Sequence, residues 1–268
     1  QPMPVRDAAH DLTLPEPFTA DGVAAAWQAA LKVWGENVNL SAPAGYVKPP
    51  KGMLDGDDPL AYINLETRQV VVNYENLVLM ECAGSLTAVL AHELGHHIRF
   101  PHTLRRAADL RLLEQKLLPF LGSSLLNLFF DLQVNEFVGR THAADLAAVY
   151  RAFRNDTKGE GSPLFNFYLA CYEELWNLPA NDLLTAAAHA MMDKNYPGWR
   201  AEARQLVQTF YDLPDDFLQF AYFCGRFARY VPPGQKLPGI PFGSDVCQPS
   251  EGDLAEAVWG TPAADAAM

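Results

Sequence analysis

Long hydrophobic runs are missing from this sequence. No stretch reaches 18 uninterrupted apolar residues, so a transmembrane helix is not expected. The opening Gln1-Pro2-Met3-Pro4-Val5-Arg6-Asp7 lacks the apolar core of a signal peptide. Positive charge is scarce as well. Twenty Lys and Arg stand against 32 Asp and Glu, a net charge of −12, which argues against nucleic acid or an anionic membrane as partner. Cysteine is sparse: Cys82, Cys171, Cys224 and Cys247 are scattered with no Cys-x-x-Cys pair. They read as reduced core thiols of a cytoplasmic protein. What is present is a 268-residue chain, 49% hydrophobic and 19% charged, which can bury a substantial core and has the balance of a globular protein.

Apolar periodicity predicts helices over 19–37, 103–120, 123–139, 142–154, 163–177, 181–193, 197–211 and 214–230, punctuated by Gly and Pro. In the first of these Val23, Trp27, Ala30, Leu31 and Trp34 share one stripe, with Thr19 or Asp21 as N-cap. Gly139 is expected to end the helix before it. Residues 41–59 are rich in Pro and Gly and read as a loop. Convincing β-sequence is confined to 60–65 and 69–74, a hairpin around a turn at 66–68. The fold class is therefore mainly α with a small β-hairpin or sheet (α+β). One domain over 1–230 is expected, followed by a Pro/Gly-rich, acidic tail over 231–268 with one short helix at 250–259.

Between the hairpin and the long helical half lies His92-Glu93-Leu94-Gly95-His96, followed directly by His97. On a helix, residues four apart share a face, so His92 and His96 can aim at one metal ion. Glu93, one residue along, can take a proton from a metal-activated water without being a ligand. A catalytic zinc needs three protein ligands and an open position, so one ligand must come from elsewhere. The apolar, small-residue sequence just upstream suits a buried helix better than a solvated face. His97 points about 100° away around the helix and is expected to support rather than to ligate.

Three residues compete for the third position. His102 reproduces the metzincin spacing His-Glu-x-x-His-x-x-Gly-x-x-His, but Arg99 stands where the glycine belongs, Pro101 precedes the ligand position, and no Met-turn can be assigned. Asp131 lies in Asn127-Leu-Phe-Phe-Asp131-Leu-Gln-Val-Asn135, where polar residues recur every four positions inside an apolar helix. A buried carboxylate there needs a partner, which a metal supplies, and Asn135 could hold a ligand imidazole by its other nitrogen. Glu136 begins the gluzincin pattern Asn-Glu-x-x-x-Asp, but Arg140 occupies the Asp position. Asp131 is preferred, with Glu136 as the fallback and Asn127, Asn135, His97 and His102 as supporting or alternative groups. His97, His102, Arg99 and Tyr74 are available as oxyanion donors, and the sequence does not choose among them.

His92-Glu-x-x-His96 followed by Asn127-x-x-x-Asp131-x-x-x-Asn135 resembles the metallopeptidase domain found in bacteria alongside von Willebrand factor A proteins and MoxR-type AAA+ ATPases. The resemblance covers about residues 60–140. It implies a zincin-like core, one Zn²⁺, hydrolysis of a peptide or protein substrate, and an AAA+ ATPase and a von Willebrand factor A-type protein as partners. The helical C-terminal half lies outside it. Two other readings are carried alongside. In one, the chain is a non-proteolytic interaction module of such a system that retains its zinc. In the other, zinc is structural and closed by four ligands: His92, His96, His102 and Asp131.

Overall fold

Thr19 opens the first helix by accepting a hydrogen bond from the Gly22 amide at 3.1 Å. This helix, α1 (Ala20–Trp34), buries Trp27 and Ala30 and ends at Gly35, whose φ of 104° lies in the region that favours glycine. The computed structural model describes residues 14–35, 40, 42–46, 60–64, 69–121, 124–156 and 159–231. The expected turn at 66–68, Cys247, the tail beyond 231 and its short helix fall outside the described residues.

A three-stranded sheet follows, with β1 (Ala44–Tyr46), β2 (Ala61–Asn64) and β3 (Gln69–Asn73) in the order β1-β3-β2. The hairpin β2–β3 is antiparallel, pairing Ile63 with Val70 and Ala61 with Val72. All four of these side chains are buried. β1 corrects the sequence reading, which treated 41–59 as loop. It pairs parallel to β3, Ala44 opposite Val71 and Gly45 opposite Val72. Three residues with a proline before them and a glycine inside carry no alternation to detect; their order comes from the open edge of β3. The strand expected to run to Tyr74 stops at Asn73. The Asn73 side chain accepts from the Asn76 amide at 3.0 Å and starts the short helix α2 (Tyr74–Leu79).

After a 3-10 turn at Ala83–Ser85 comes α3 (Leu86–Ile98). It is buried on nearly every side: Leu86 and Ala88 through His96 are all enclosed. A helix apolar all round belongs in the centre of a domain, and three layers surround this one. The Trp34 indole of α1 donates to the Ala91 carbonyl at 2.7 Å. Strands β2 and β3 cover a second side. On the third, α5 (Leu126–Asp156) crosses at Gly95, where a Cβ would lie 2.7 Å from Trp34 and press into Val134.

The remaining helices complete the fold. They are α4 (Leu104–Leu117), lying between α3 and α5 in sequence, then α6 (Pro163–Leu175), α7 (Ala186–Asn195), α8 (Trp199–Phe210) and α9 (Asp216–Phe227). The helix expected from 181 begins only after Thr185, which caps α7 through the Ala188 amide at 3.1 Å. The break expected at Gly139 is not there. α5 continues through it and leaves helical geometry at His142 (φ −127°, ψ 28°), whose imidazole pairs with Asp145 at 3.0 Å. Gly139 serves a contact instead, since a Cβ there would press into the Trp176 indole nitrogen and lie 2.8 Å from the indole Cδ1. Among the described residues no helix is long and apolar enough to cross a membrane. The fold is thus mainly α with one small sheet.

Candidate metal centre

Helix α3 carries His92 and His96 on one face, and α5 brings Asp131 to the same point. His92 Nε2 and His96 Nε2 lie 3.1 Å apart. Asp131 Oδ1 stands 3.3 Å from the second and 3.6 Å from the first. Bonds of about 2.0–2.1 Å to a tetrahedral zinc place neighbouring donor atoms about 3.3 Å apart. The three separations match the edges of such a site. Among the described residues this is the one group of three or more His, Cys, Asp or Glu side chains close enough to share an ion.

The imidazoles are held from behind. His96 Nδ1 lies 2.9 Å from the Phe100 carbonyl, which can only accept, so Nδ1 carries the proton and Nε2 presents its lone pair. His92 Nδ1 lies 2.7 Å from Asn135 Oδ1, the same arrangement with a side-chain amide. Two lone pairs facing each other repel unless a cation lies between them.

The acids make the stronger case. Among the described residues four Asp or Glu side chains are buried: Glu93, Glu114, Asp131 and Glu173. Two of them are fully served. Glu114 accepts from the Ser124 hydroxyl (2.7 Å) and the Leu125 amide (2.5 Å) and pairs with Arg111. Glu173 accepts from the Leu183 amide (2.7 Å) and the Asn181 amide (3.2 Å) and pairs with Arg200. Glu93 and Asp131, both 0% exposed, have no oxygen in a well-formed hydrogen bond. Burial therefore pushes the Glu93 carboxyl well above its usual range, as does the neighbouring Asp131, against a partial offset from the Ile63 backbone amide. Burial likewise raises Asp131, offset by His96, and lowers His92, where His96 adds to the effect and Asn135 opposes it. An uncompensated buried carboxylate costs several kcal/mol. One divalent cation would relieve both acids and the facing lone pairs together, so the residues fit a zinc ion.

The other expected site residues are not brought to this point. His102 is exposed, and its Nδ1 lies 2.7 Å from the His97 carbonyl. The metzincin ligand set and the closed four-ligand set therefore both lack a member. Glu136, about 140° further round α5, makes a two-pronged ion pair with Arg140 at 2.9 and 3.0 Å. His97 is half-buried at the edge of α3, and Asn127 is half-buried one turn before Asp131. Arg99 lies with its guanidinium 5.2 Å above the Phe137 ring, and Tyr74 is buried against Phe18 at 5.0 Å.

Residues 28–153 match the model of peptidase family M48. The match runs from α1 into α5 and so takes in the sheet, α3 and Asp131, somewhat under half of the chain; α6 to α9 lie beyond it. M48 supports a metallopeptidase with a zincin-like domain at these residues, and zinc as its metal, at that general level. It does not speak to ATPase or von Willebrand partners. No curated protein and no solved structure matches the chain.

Two features of the centre escaped the sequence reading. The Phe100 carbonyl is main chain and leaves no side-chain signal. Tyr150, Tyr168 and Tyr172 are buried, and their hydroxyls gather behind Asn135. Tyr168 and Tyr172, four apart on α6 in a core otherwise rich in Phe, were the available clue.

Proposed function

We propose that this chain is a zinc-dependent peptide hydrolase in which His92, His96 and Asp131 hold the metal and Glu93 is the general base. The observation that carries the reading is the meeting of two outward-anchored imidazoles with two buried, unserved carboxylates. Zinc held there supplies Lewis acidity toward a peptide carbonyl and brings the pKa of a water toward neutrality. Glu93, next to a ligand and with neither oxygen in a well-formed hydrogen bond, accepts the proton of the attacking water and passes it to the leaving nitrogen. His92, His96 and Asp131 are oriented beforehand, so little rearrangement is needed at the moment of reaction.

The substrate class we assign is an extended peptide lying along β2. The Asn73 amide donates to the Leu60 carbonyl at 2.8 Å, which makes that opposite pair a hydrogen-bonded one. Alternation then directs the amide and carbonyl groups of Ala61 and Ile63 away from β3. Among the described residues β1 occupies the far edge of β3 and β2 is the outer strand on this side, and the Ile63 amide acts on Glu93. A peptide added to that edge would lie beside the general base. The buried side chains of the hairpin cover α3 at the same time, so cover and binding edge are compatible roles.

One domain over 1–230 belongs to the same proposal, supported by α5, which packs against α3 and against α6. A reducing compartment such as the cytoplasm suits the buried free thiols of Cys82, Cys171 and Cys224. AAA+ ATPase and von Willebrand factor A-type partners are supported by the Asn127, Asp131, Asn135 spacing on α5 alone. The test is cleavage of unfolded protein by the zinc-loaded chain. The Glu93→Gln variant should lose activity by about 10²–10⁴-fold and still bind zinc. Cleavage at the wild-type rate in that variant removes Glu93 from the mechanism. Tight binding of a partner with no cleavage of any substrate by the zinc-loaded wild type would favour the interaction module.

A further inference from the structure

Behind His92 stands a buried group of polar side chains that the proposed reaction does not use. Asn135, Tyr150, Tyr168 and Tyr172 are all 0% exposed. The Asn135 amide nitrogen donates to the Tyr150 hydroxyl at 3.1 Å and to the Tyr172 hydroxyl at 2.8 Å. Tyr150 donates to Tyr172 at 3.2 Å, and the Tyr172 and Tyr168 hydroxyls lie 2.5 Å apart. A hydroxyl has one proton and two lone pairs. Tyr150 donates to Tyr172, and in the Tyr168–Tyr172 pair either hydroxyl can be the donor. The NH₂ end of the amide, with two N–H donors, meets two hydroxyl oxygens here, whereas turned toward His92 it would face a single ring nitrogen.

We propose that Tyr150 and Tyr172 are positioning residues that lock the Asn135 amide with its oxygen toward His92, and so select the His92 tautomer that presents an unprotonated Nε2 to the metal. This rests on the metal-site reading above. An asparagine amide has nearly the same shape either way round, and its orientation is decided by its partners. Reversed, the amide would aim N–H groups at His92 Nδ1. That nitrogen would then have to accept, and its proton would move to Nε2, where a ligand needs a lone pair. His96 has no such dependence, because its Nδ1 faces a main-chain carbonyl that cannot reverse. Packing alone does not call for hydroxyls here. The same core is filled elsewhere by Phe129, Phe167, Phe220, Phe223 and Phe227, and each buried hydroxyl must be partnered to be tolerated.

The test compares wild type with Tyr150→Phe/Tyr172→Phe, and with Tyr172→Phe alone should the double variant fold poorly. Imidazole nitrogen NMR of metal-free, histidine-labelled protein at mildly alkaline pH reads the tautomer. Competition with a chromophoric chelator reads zinc affinity. In wild type His92 is expected to carry its proton on Nδ1. In the double variant its signals should shift toward the Nε2–H form while those of His96 stay in place, and zinc affinity should fall about 10–100-fold; the single variant should show a smaller change of the same kind. A His92 that stays protonated on Nδ1 in the variants, or an undiminished zinc affinity, overturns the proposal. So does a loss of thermal stability with both histidines unmoved, which is what a packing role would give. Should the wild type take up no zinc, the metallopeptidase reading fails by itself, and the metal-free spectra still decide what the tyrosines do.

Discussion

A histidine serves a metal only through the nitrogen that carries no proton, and each imidazole here has an oxygen against its far nitrogen. His96 is fixed by the Phe100 carbonyl and His92 by Asn135. The contrast among the four buried acids is as telling. Glu114 and Glu173 are each held by backbone amide and arginine donors, whereas neither Glu93 nor Asp131 has an oxygen in a well-formed hydrogen bond. Removing the charge from Asp131 should therefore act oppositely with and without metal. Asp131→Asn is expected to stabilise the chelator-treated protein by roughly 1–3 kcal/mol, the cost of one unserved buried group. Denaturant unfolding in excess chelator measures this. A less stable metal-free variant would mean that Asp131 has a partner other than a cation.

At the level of elements, two glycines set how closely the helices can approach the centre. Gly95 lets α3 settle against Val134 of α5 and Trp34 of α1, and Gly139 lets the Trp176 indole close on α5. Trp176 stacks on Tyr172 at 4.5 Å, so that contact also places the hydroxyl behind Asn135. Gly95→Ala and Gly139→Ala should each cost about 1–3 kcal/mol by overpacking, read as a lower unfolding midpoint with an unchanged slope. A neutral result at Gly95 would show that α3 and α5 can separate freely. Much of this level was legible in the sequence. The four-residue spacings on α3 and α5 placed His92 with His96, and Asp131 with Asn135, on single faces, because helical periodicity is a local property. β1 was not legible, since three residues around Gly45 owe their extended shape to β3. Gly139 misled for a related reason: a glycine kept for a neighbouring indole looks, in one dimension, like a glycine that ends a helix.

For the whole molecule, the centre sits where the part matching peptidase family M48 meets the helical half. α3 lies on one side, α6 with its tyrosines on the other, and α5 between them. Metal bound there ties both halves to one point. Chelation is therefore expected to lower the midpoint of thermal unfolding, and zinc to restore it. A ligand at a thousand times its dissociation constant contributes about 4 kcal/mol. A midpoint indifferent to chelator would separate the fold from the metal. The measurement that bears most directly on the whole account is the zinc content and affinity of wild type beside Asp131→Ala, Glu136→Ala and His102→Ala. Wild type, Glu136→Ala and His102→Ala should hold one zinc each, and Asp131→Ala should lose it. Zinc kept at wild-type affinity by Asp131→Ala, or lost from either of the other two, would contradict the centre described above.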